Sequence, residues 1–263
     1  MTPAERSTWP EAWPKLDPAP LTGRRELAAA ELAAARGSRP ERVTALIAAL
    51  ADRIGGAPAT PELVRRLSAG TREWLLQQLA ASCRPAEDWF ELTCPDCGAV
   101  FDLGLDLARM PRGGPGEGFA AVEVATSAGS LAFDCLNGWH EEAVARAARP
   151  GLRVLLSAAA RFDDAEAVLA GLPVAELHAI EAALDAAGPE VADRVEATCP
   201  GCGVPVSARL DPLSYAFPGD ATLLGEVHAL SWAYRWSEPA ILDLPSGRRR
   251  RYSAMVATMG ARA

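Results

Sequence analysis

The chain has 263 residues, 49 % of them hydrophobic and 23 % charged, a globular balance that excludes wholesale disorder and allows one large domain or two small ones. Lys and Arg number 26 against 34 Asp and Glu, a net charge of −8, which disfavours non-specific attraction to nucleic acid or an anionic membrane. No apolar run reaches the roughly 20 residues that cross a bilayer, and the opening MTPAERSTWPEAWPKLDPAP lacks the apolar stretch of a secretory signal. The expectation is a cytoplasmic chain with no membrane partner, in which six cysteines point to metal or catalysis before disulfides.

Residues 1–22 are rich in Pro and carry Trp9 and Trp13 in polar surroundings. They read as a flexible or extended tail whose tryptophans dock on a partner or fold back on the body. Helical pattern follows over 23–88. In RPERVTALIAALADRIGG, Val43, Leu46, Ile47, Leu50 and Ile54 form one apolar stripe that stops at Gly55–Gly56. Thr60 and Pro61 are N-cap and first helical residue of the next helix. Thr71 opens another, with Trp74, Leu75 and Leu79 on one side.

From Trp89 the period becomes two. Phe101, Leu103, Leu105 and Leu107 alternate with Asp102, Gly104 and Asp106, the mark of a half-buried strand. FAAVEVATSAGSLAF reads as two strands around Ala128–Gly129, and 140–190 returns to helix in three segments, one of them with Leu177, Ile180 and Leu184 on one face. Period two recurs over 191–210. The C-terminal stretch is helical again, with Ser237 and Ser246 as caps.

The chain contains an internal repeat. ELTCPDCGAVFDLGLD aligns with EATCPGCGVPVSARLD; Glu91, Thr93, Cys94, Pro95, Cys97, Gly98, Leu105 and Asp106 recur 105 positions later as Glu196, Thr198, Cys199, Pro200, Cys202, Gly203, Leu210 and Asp211. Each copy is Cys-Pro-x-Cys-Gly between strand-like segments. A C-x-x-C turn offers two thiolates to one tetrahedral ion, and the glycine permits a left-handed backbone that turns amides toward sulfur. One such knuckle supplies two of the four ligands that structural zinc takes. Cys94, Cys97, Cys199 and Cys202 together make a four-cysteine site for structural Zn2+, a ribbon assembled from two hairpins. The stretch between them far exceeds the usual ~15–20 residues, so it is an insertion with its own structure.

The expected architecture is α+β, mostly helical: a tail (1–22), a helical segment (23–88), a first knuckle hairpin (89–108), a mixed β/helical insertion (109–190), a second knuckle hairpin (191–213) and a helical C-terminal segment (214–263). The same cysteines allow two further readings, pairs that pack without metal and a redox dithiol. The redox dithiol wants a thiol at a helix N-terminus, whereas strand pattern follows each knuckle here. Cys83 and Cys135 read as buried small hydrophobes. His140, His178 and His228 lack ligand spacing, and His228 reads as a packing residue among Leu224, Val227 and Leu230. Glu141–Glu142 and Asp163–Asp164 read as helix-start charges. Nothing proposes a nucleophile with a base, so the expectation is a protein that is not an enzyme. Arg248–Arg251 reads as a salt-bridging interface or solvated face.

The order of these segments, and above all the C-terminal LLGEVHALSWAYRWSEPAILDLPSGRRRRYSAMV, resembles the T-even-type bacteriophage baseplate protein family of tailed phages, prophages and bacterial contractile injection systems. Leu223, Leu224, Glu226, Val227, His228, Leu230, Tyr234, Trp236, Ser237, Glu238, Ile241, Leu242, Leu244, Arg249, Arg250 and Tyr252 fit the family pattern, and Ser231–Trp232 depart from it. The resemblance implies a non-enzymatic baseplate-hub component or assembly factor. Its partners would be hub and tail proteins, with no small-molecule substrate, in the cytoplasm or in a particle assembled there. The dense blocks Trp232, Tyr234, Arg235, Trp236 and Arg249, Arg250, Tyr252 suit partner-binding hot spots, with core packing as the alternative for the tryptophans. A zinc-ribbon nucleic-acid binder and a C-x-x-C thiol oxidoreductase are the competing functions.

Overall fold

The computed structural model describes residues 6–83, 88–215, 217 and 219–260. A short strand, β1 (Leu16–Pro18), precedes α1 (Gly23–Ala34) and α2 (Arg39–Leu50). At the start of α2, Glu41 accepts from the Ser38 backbone N–H and hydroxyl, in the manner of a capping box. Val43, Leu46, Ile47 and Leu50 form the expected buried stripe. The helix nevertheless stops at Leu50, and β2 (Ala51–Ile54) pairs with β1 and with β3 (Ala57–Pro58). Ile54 is buried in the strand; the helix yields to it because Gly55 and Gly56 take positive φ and turn the chain back into a tight hairpin.

The described part of the N-terminal segment is not a free tail. β1 completes a three-stranded sheet. The Trp9 amide donates to Arg66 at 2.7 Å, Ala12 is buried, and Trp13 meets Trp74 edge-on at 5.5 Å. Both tryptophans fold back on the body, because β2 offers an open edge and the helices offer apolar and cationic surface to the rings. Residues 1–5 lie outside the described residues.

Next come α3 (Pro61–Arg66), capped by the Thr60 hydroxyl accepting from Leu63, and α4 (Ala69–Cys83). α4 begins two residues before the expected Thr71, whose amide donates to Ser68 Oγ at 3.2 Å. The first hairpin, β4 (Asp88–Thr93) and β5 (Val100–Leu105), closes with a 3-10 turn at Leu107–Arg109. The insertion follows: β6 (Arg112–Gly113), the hairpin β7 (Ala121–Thr126) and β8 (Gly129–Asp134), then α5 (Gly138–Arg146), α6 (Leu152–Ala159), α7 (Ala165–Gly171), α8 (Val174–Ala187) and β9 (Glu190–Val191). Of these, α7 has no counterpart in the sequence reading. β6 pairs with β9 and forms a neck through which the chain leaves and returns. Phe133, Leu156, Leu169, Ile180 and Leu184 centre a core that belongs to the insertion. Gly70 in α4 faces the neck so closely that a Cβ there would meet the Pro189 carbonyl oxygen.

The second hairpin, β10 (Arg194–Thr198) and β11 (Pro205–Arg209), leads to α9 (Pro212–Tyr215), α10 (Asp220–Tyr234), α11 (Glu238–Leu242) and α12 (Ser246–Gly260). Every strand pair among the described residues is antiparallel, and helix outweighs strand, so the chain is α+β. Ion pairs link the parts. Arg72, almost wholly buried, meets Glu141 at 3.0 Å, and buried Glu142 accepts from Arg65 and Arg146. Glu141 and Glu142 are therefore not simple helix-start charges. Glu141 faces the buried Arg72, and the buried Glu142 is paired by the half-buried Arg65 and the exposed Arg146, without which its burial would be prohibitive.

Candidate metal centre

The two Cys-Pro-x-Cys-Gly turns fold alike. In the first, Cys94 N–H donates to Ala99 and Gly98 N–H to Cys94. In the second, Cys199 N–H donates to Val204 and Gly203 N–H to Cys199, the same bonds 105 positions on. Gly98 and Gly203 have φ of 72° and 76°, with open space where a Cβ would sit. Glycine is required there by backbone conformation, not by crowding.

The turns meet. The Sγ atoms of Cys94, Cys97, Cys199 and Cys202 all lie within 4.8 Å of one another, with Cys94–Cys202 and Cys97–Cys199 at 3.7 Å. Four sulfurs about 2.3 Å from one metal ion would be separated by about 3.8 Å in a regular tetrahedron. The sulfurs are too far apart for disulfides, and all six cysteines are free. The cluster can therefore hold a metal ion. Cys94 and Cys199 are buried against Val206, Ala99 and Phe101, whereas Cys97 and Cys202 are exposed. Gly201 packs between the knuckles, where a side-chain Cβ would lie 3.5 Å from Cys97 Sγ, and its N–H donates to Cys199 Sγ at 3.3 Å.

The thiols differ in acidity. Desolvation raises Cys199, but the amides of Cys202 and Gly201 and the thiols of Cys94 and Cys97 outweigh it and bring the group to about 7. The Val204 amide favours a Cys202 thiolate, yet Cys97, desolvation, Cys94 and Cys199 together push that thiol up to about 12. Without a cation the cluster shares protons unevenly; a divalent ion would replace them. Cys83 and Cys135 are buried and are pushed up to about 11 by desolvation, as inert structural thiols are.

The repeat also shares Asp106 and Asp211, and the structure gives both a role that the sequence reading lacked. Each carboxylate caps the turn after its hairpin, Asp106 accepting from Ala108 and Asp211 from Leu213. Asp211 also pairs with Arg39, which reaches Glu73 at 2.5 Å. An arginine 172 residues away leaves no local signal.

Of the residues expected at a partner face, Arg249 is buried, Tyr234, Trp236 and Tyr252 are half-buried, and Trp232, Arg235 and Arg250 are exposed. The guanidinium of buried Arg249 is held by Glu26 and by Glu226, and Arg250 reaches Glu26 at 2.7 Å. Tyr234 stacks on Trp236, Tyr252 meets both rings edge-on, and the three pack against Leu223, Val227, Leu230, Ile241 and Leu242. Trp232 alone among the expected aromatics stays open, 71 % exposed, with Arg235 over its ring at 5.4 Å. Arg249 is corrected from a surface contact to a buried tie, because Glu26 and Glu226 converge on it. His228 is exposed, not packed, since α10 turns Leu223, Val227 and Leu230 inward. His178 is exposed beside Glu181, while His140 is buried and accepts from the Asn137 amide.

Comparison of the chain with protein-family models, curated proteins and solved structures gives no match.

Proposed function

We propose that this chain is a non-enzymatic structural or assembly component of a phage-tail-like contractile baseplate hub, with Zn2+ held by Cys94, Cys97, Cys199 and Cys202 as a structural clip. One observation carries the structural reading: four thiols from turns 105 positions apart converge in one closed, all-sulfur donor set. Such a set suits zinc, and four thiolates leave no coordination position for water or substrate. In the ribbon so formed, the metal closes the long insertion onto the body and contributes folding energy directly.

The baseplate assignment rests on the C-terminal resemblance. Its residues have a physical rationale: Leu223, Val227, Leu230, Ile241 and Leu242 build one core, and Glu226 meets Arg249. The pattern thus specifies a packed helical unit. Hub and tail proteins are the proposed partners, in the cytoplasm or within a particle assembled there. No helix among the described residues is long and apolar enough to cross a membrane.

Two measurements test the reading. Elemental analysis of the purified protein is expected to give one zinc per chain. Isolation of the tagged protein from its native cells is expected to bring down sheath, tube or hub proteins. Absence of zinc overturns the clip, and absence of every tail component overturns the baseplate role. Nucleic-acid binding is disfavoured by the first hairpin, whose residues 88–106 carry five acids and no base. A redox role is disfavoured because β5 and β11, not helices, follow the knuckles.

A further inference from the structure

Two segments of this chain carry opposite, unmixed charge. Residues 88–106 hold Asp88, Glu91, Asp96, Asp102 and Asp106 with no Lys or Arg; residues 246–260 hold four arginines with no Asp or Glu. The fold turns part of each outward. On the first hairpin, the register sets Glu91 opposite Asp102 and Thr93 opposite Val100 on one face, while Phe90 and Leu92 point to the buried side. Val100 is 58 % exposed. Glu91 and Asp102 have no side-chain partner among the described residues, so two like charges stand directly across the ladder, an arrangement that destabilises a hairpin.

On α12 the inward stripe is Arg249, Tyr252 and Val256, already engaged with Glu26, Glu226 and the stacked rings. The outward stripe is Arg248, Arg251 and Met255, all exposed. Neither Arg248 nor Arg251 has a side-chain partner among the described residues. The i, i+3, i+7 spacing puts two cations and then an apolar residue on one line.

The two faces match in dimension as well as in charge. From Arg251 to Met255 is four helical residues, a rise of about 6 Å. From the Glu91–Asp102 pair to the Thr93–Val100 pair is two strand residues, a rise of about 6.7 Å. A helix laid along the hairpin so that Arg248 and Arg251 cover the acid pair carries Met255 onto Val100. We infer that the outward stripe of α12 docks on the outer face of β4–β5 of a second copy of this chain. The association relieves the acid–acid repulsion that each free copy retains. Every copy carries both faces, so a closed pair can use the contact twice. One helix on one hairpin is a small interface, and its ion pairs lie at the surface, so the association is weak and falls with salt. The inference rests on charge, register and exposure and stands apart from the zinc and baseplate readings.

Sedimentation equilibrium of the metal-replete full chain tests it, at low and at high salt and up to about 100 µM, where a micromolar contact is populated. Wild type is expected to self-associate at low salt and to dissociate at high salt. Glu91→Arg with Asp102→Arg, and separately Arg248→Glu with Arg251→Glu, are expected to weaken association at least tenfold, with thermal melts and metal content showing that both variants are folded. The quadruple variant carrying all four reversals is expected to regain it, which damage to folding could not mimic. A monomeric wild type at low salt overturns the inference. So does unchanged association of either double variant, or failure of a folded quadruple variant to recover.

Discussion

The two knuckle hairpins share a turn, a register and a set of cysteines, yet they are held in place by different forces. β4–β5 is anchored by apolar contact: Phe90 and Leu107 enter the main core, with Leu105 packed against it. The strands of β10–β11 put no residue into that core; Leu213 beyond them does, Asp211 is clamped by Arg39, which also holds Glu73 on α4, and Arg209 pairs with Asp193 at the surface. Identical local chemistry therefore sits in two mechanical settings. The repeat specifies how each pair of sulfurs is presented, and the surroundings specify how firmly each pair is brought to the common point.

The hairpins are equivalent at their cysteines, and substitution there has the largest expected effect. Cys94→Ser and Cys199→Ser are expected to cost several kcal/mol each and to lose metal alike, because either leaves three thiolates. Thermal melts with elemental analysis check this; an unchanged melting temperature at full metal content contradicts it. Arg39→Met should separate the hairpins. It removes two partly buried charge pairs, an expected loss of about 1–2 kcal/mol, with faster amide exchange in β10–β11 and little change in β4–β5.

This anchor also has a pH signature. Burial alone would raise the Asp211 carboxyl, but hydrogen bonding and charge from Arg39 outweigh it and hold the group below its ordinary range. The contribution is thus complete above the usual carboxylate titration near about 4 and is lost as pH falls below it. Acid titration of stability should therefore be shallower in Arg39→Met than in wild type.

Smaller effects sharpen the contrast. Asp106→Ala removes only the cap on Ala108, an expected cost of about 1 kcal/mol, whereas Asp211→Ala removes a cap and an ion pair and should cost more; urea titration of the two variants decides. Smallest is Glu91→Lys, which turns the like-charge pair with Asp102 into an opposite one. A gain of about 0.5 kcal/mol is expected in the isolated chain, visible as a raised melting temperature at low salt.

Much of the local structure is legible in the residues themselves. The glycine after the second cysteine predicts a positive φ, and both turns have it. Alternation in 100–107 and the Ala128–Gly129 break predict the hairpins that form. Where the reading fails, two answers satisfy the same pattern. Ile54 fits a helical stripe and an inward strand position alike. Leu224 and His228 share a helix with Leu223 and Val227, and an all-round apolar helix does not reveal which side will be covered. Trp9 and Trp13 in a Pro-rich stretch leave docking undecided until β2 is seen to need a neighbour.

Residue type and spacing alone thus determined the knuckles, the repeat and the α+β class, because a C-x-x-C turn and a two-residue period are imposed by covalent geometry over a few residues. The repeat also called for the four sulfurs to meet at one centre, and the fold brings them within 4.8 Å of one another; tertiary structure alone decided that Arg249 meets Glu26 across 223 positions and which stripe of α12 faces water. Those outcomes depend on chain closure and on competition for burial among distant groups, and no local spacing encodes them.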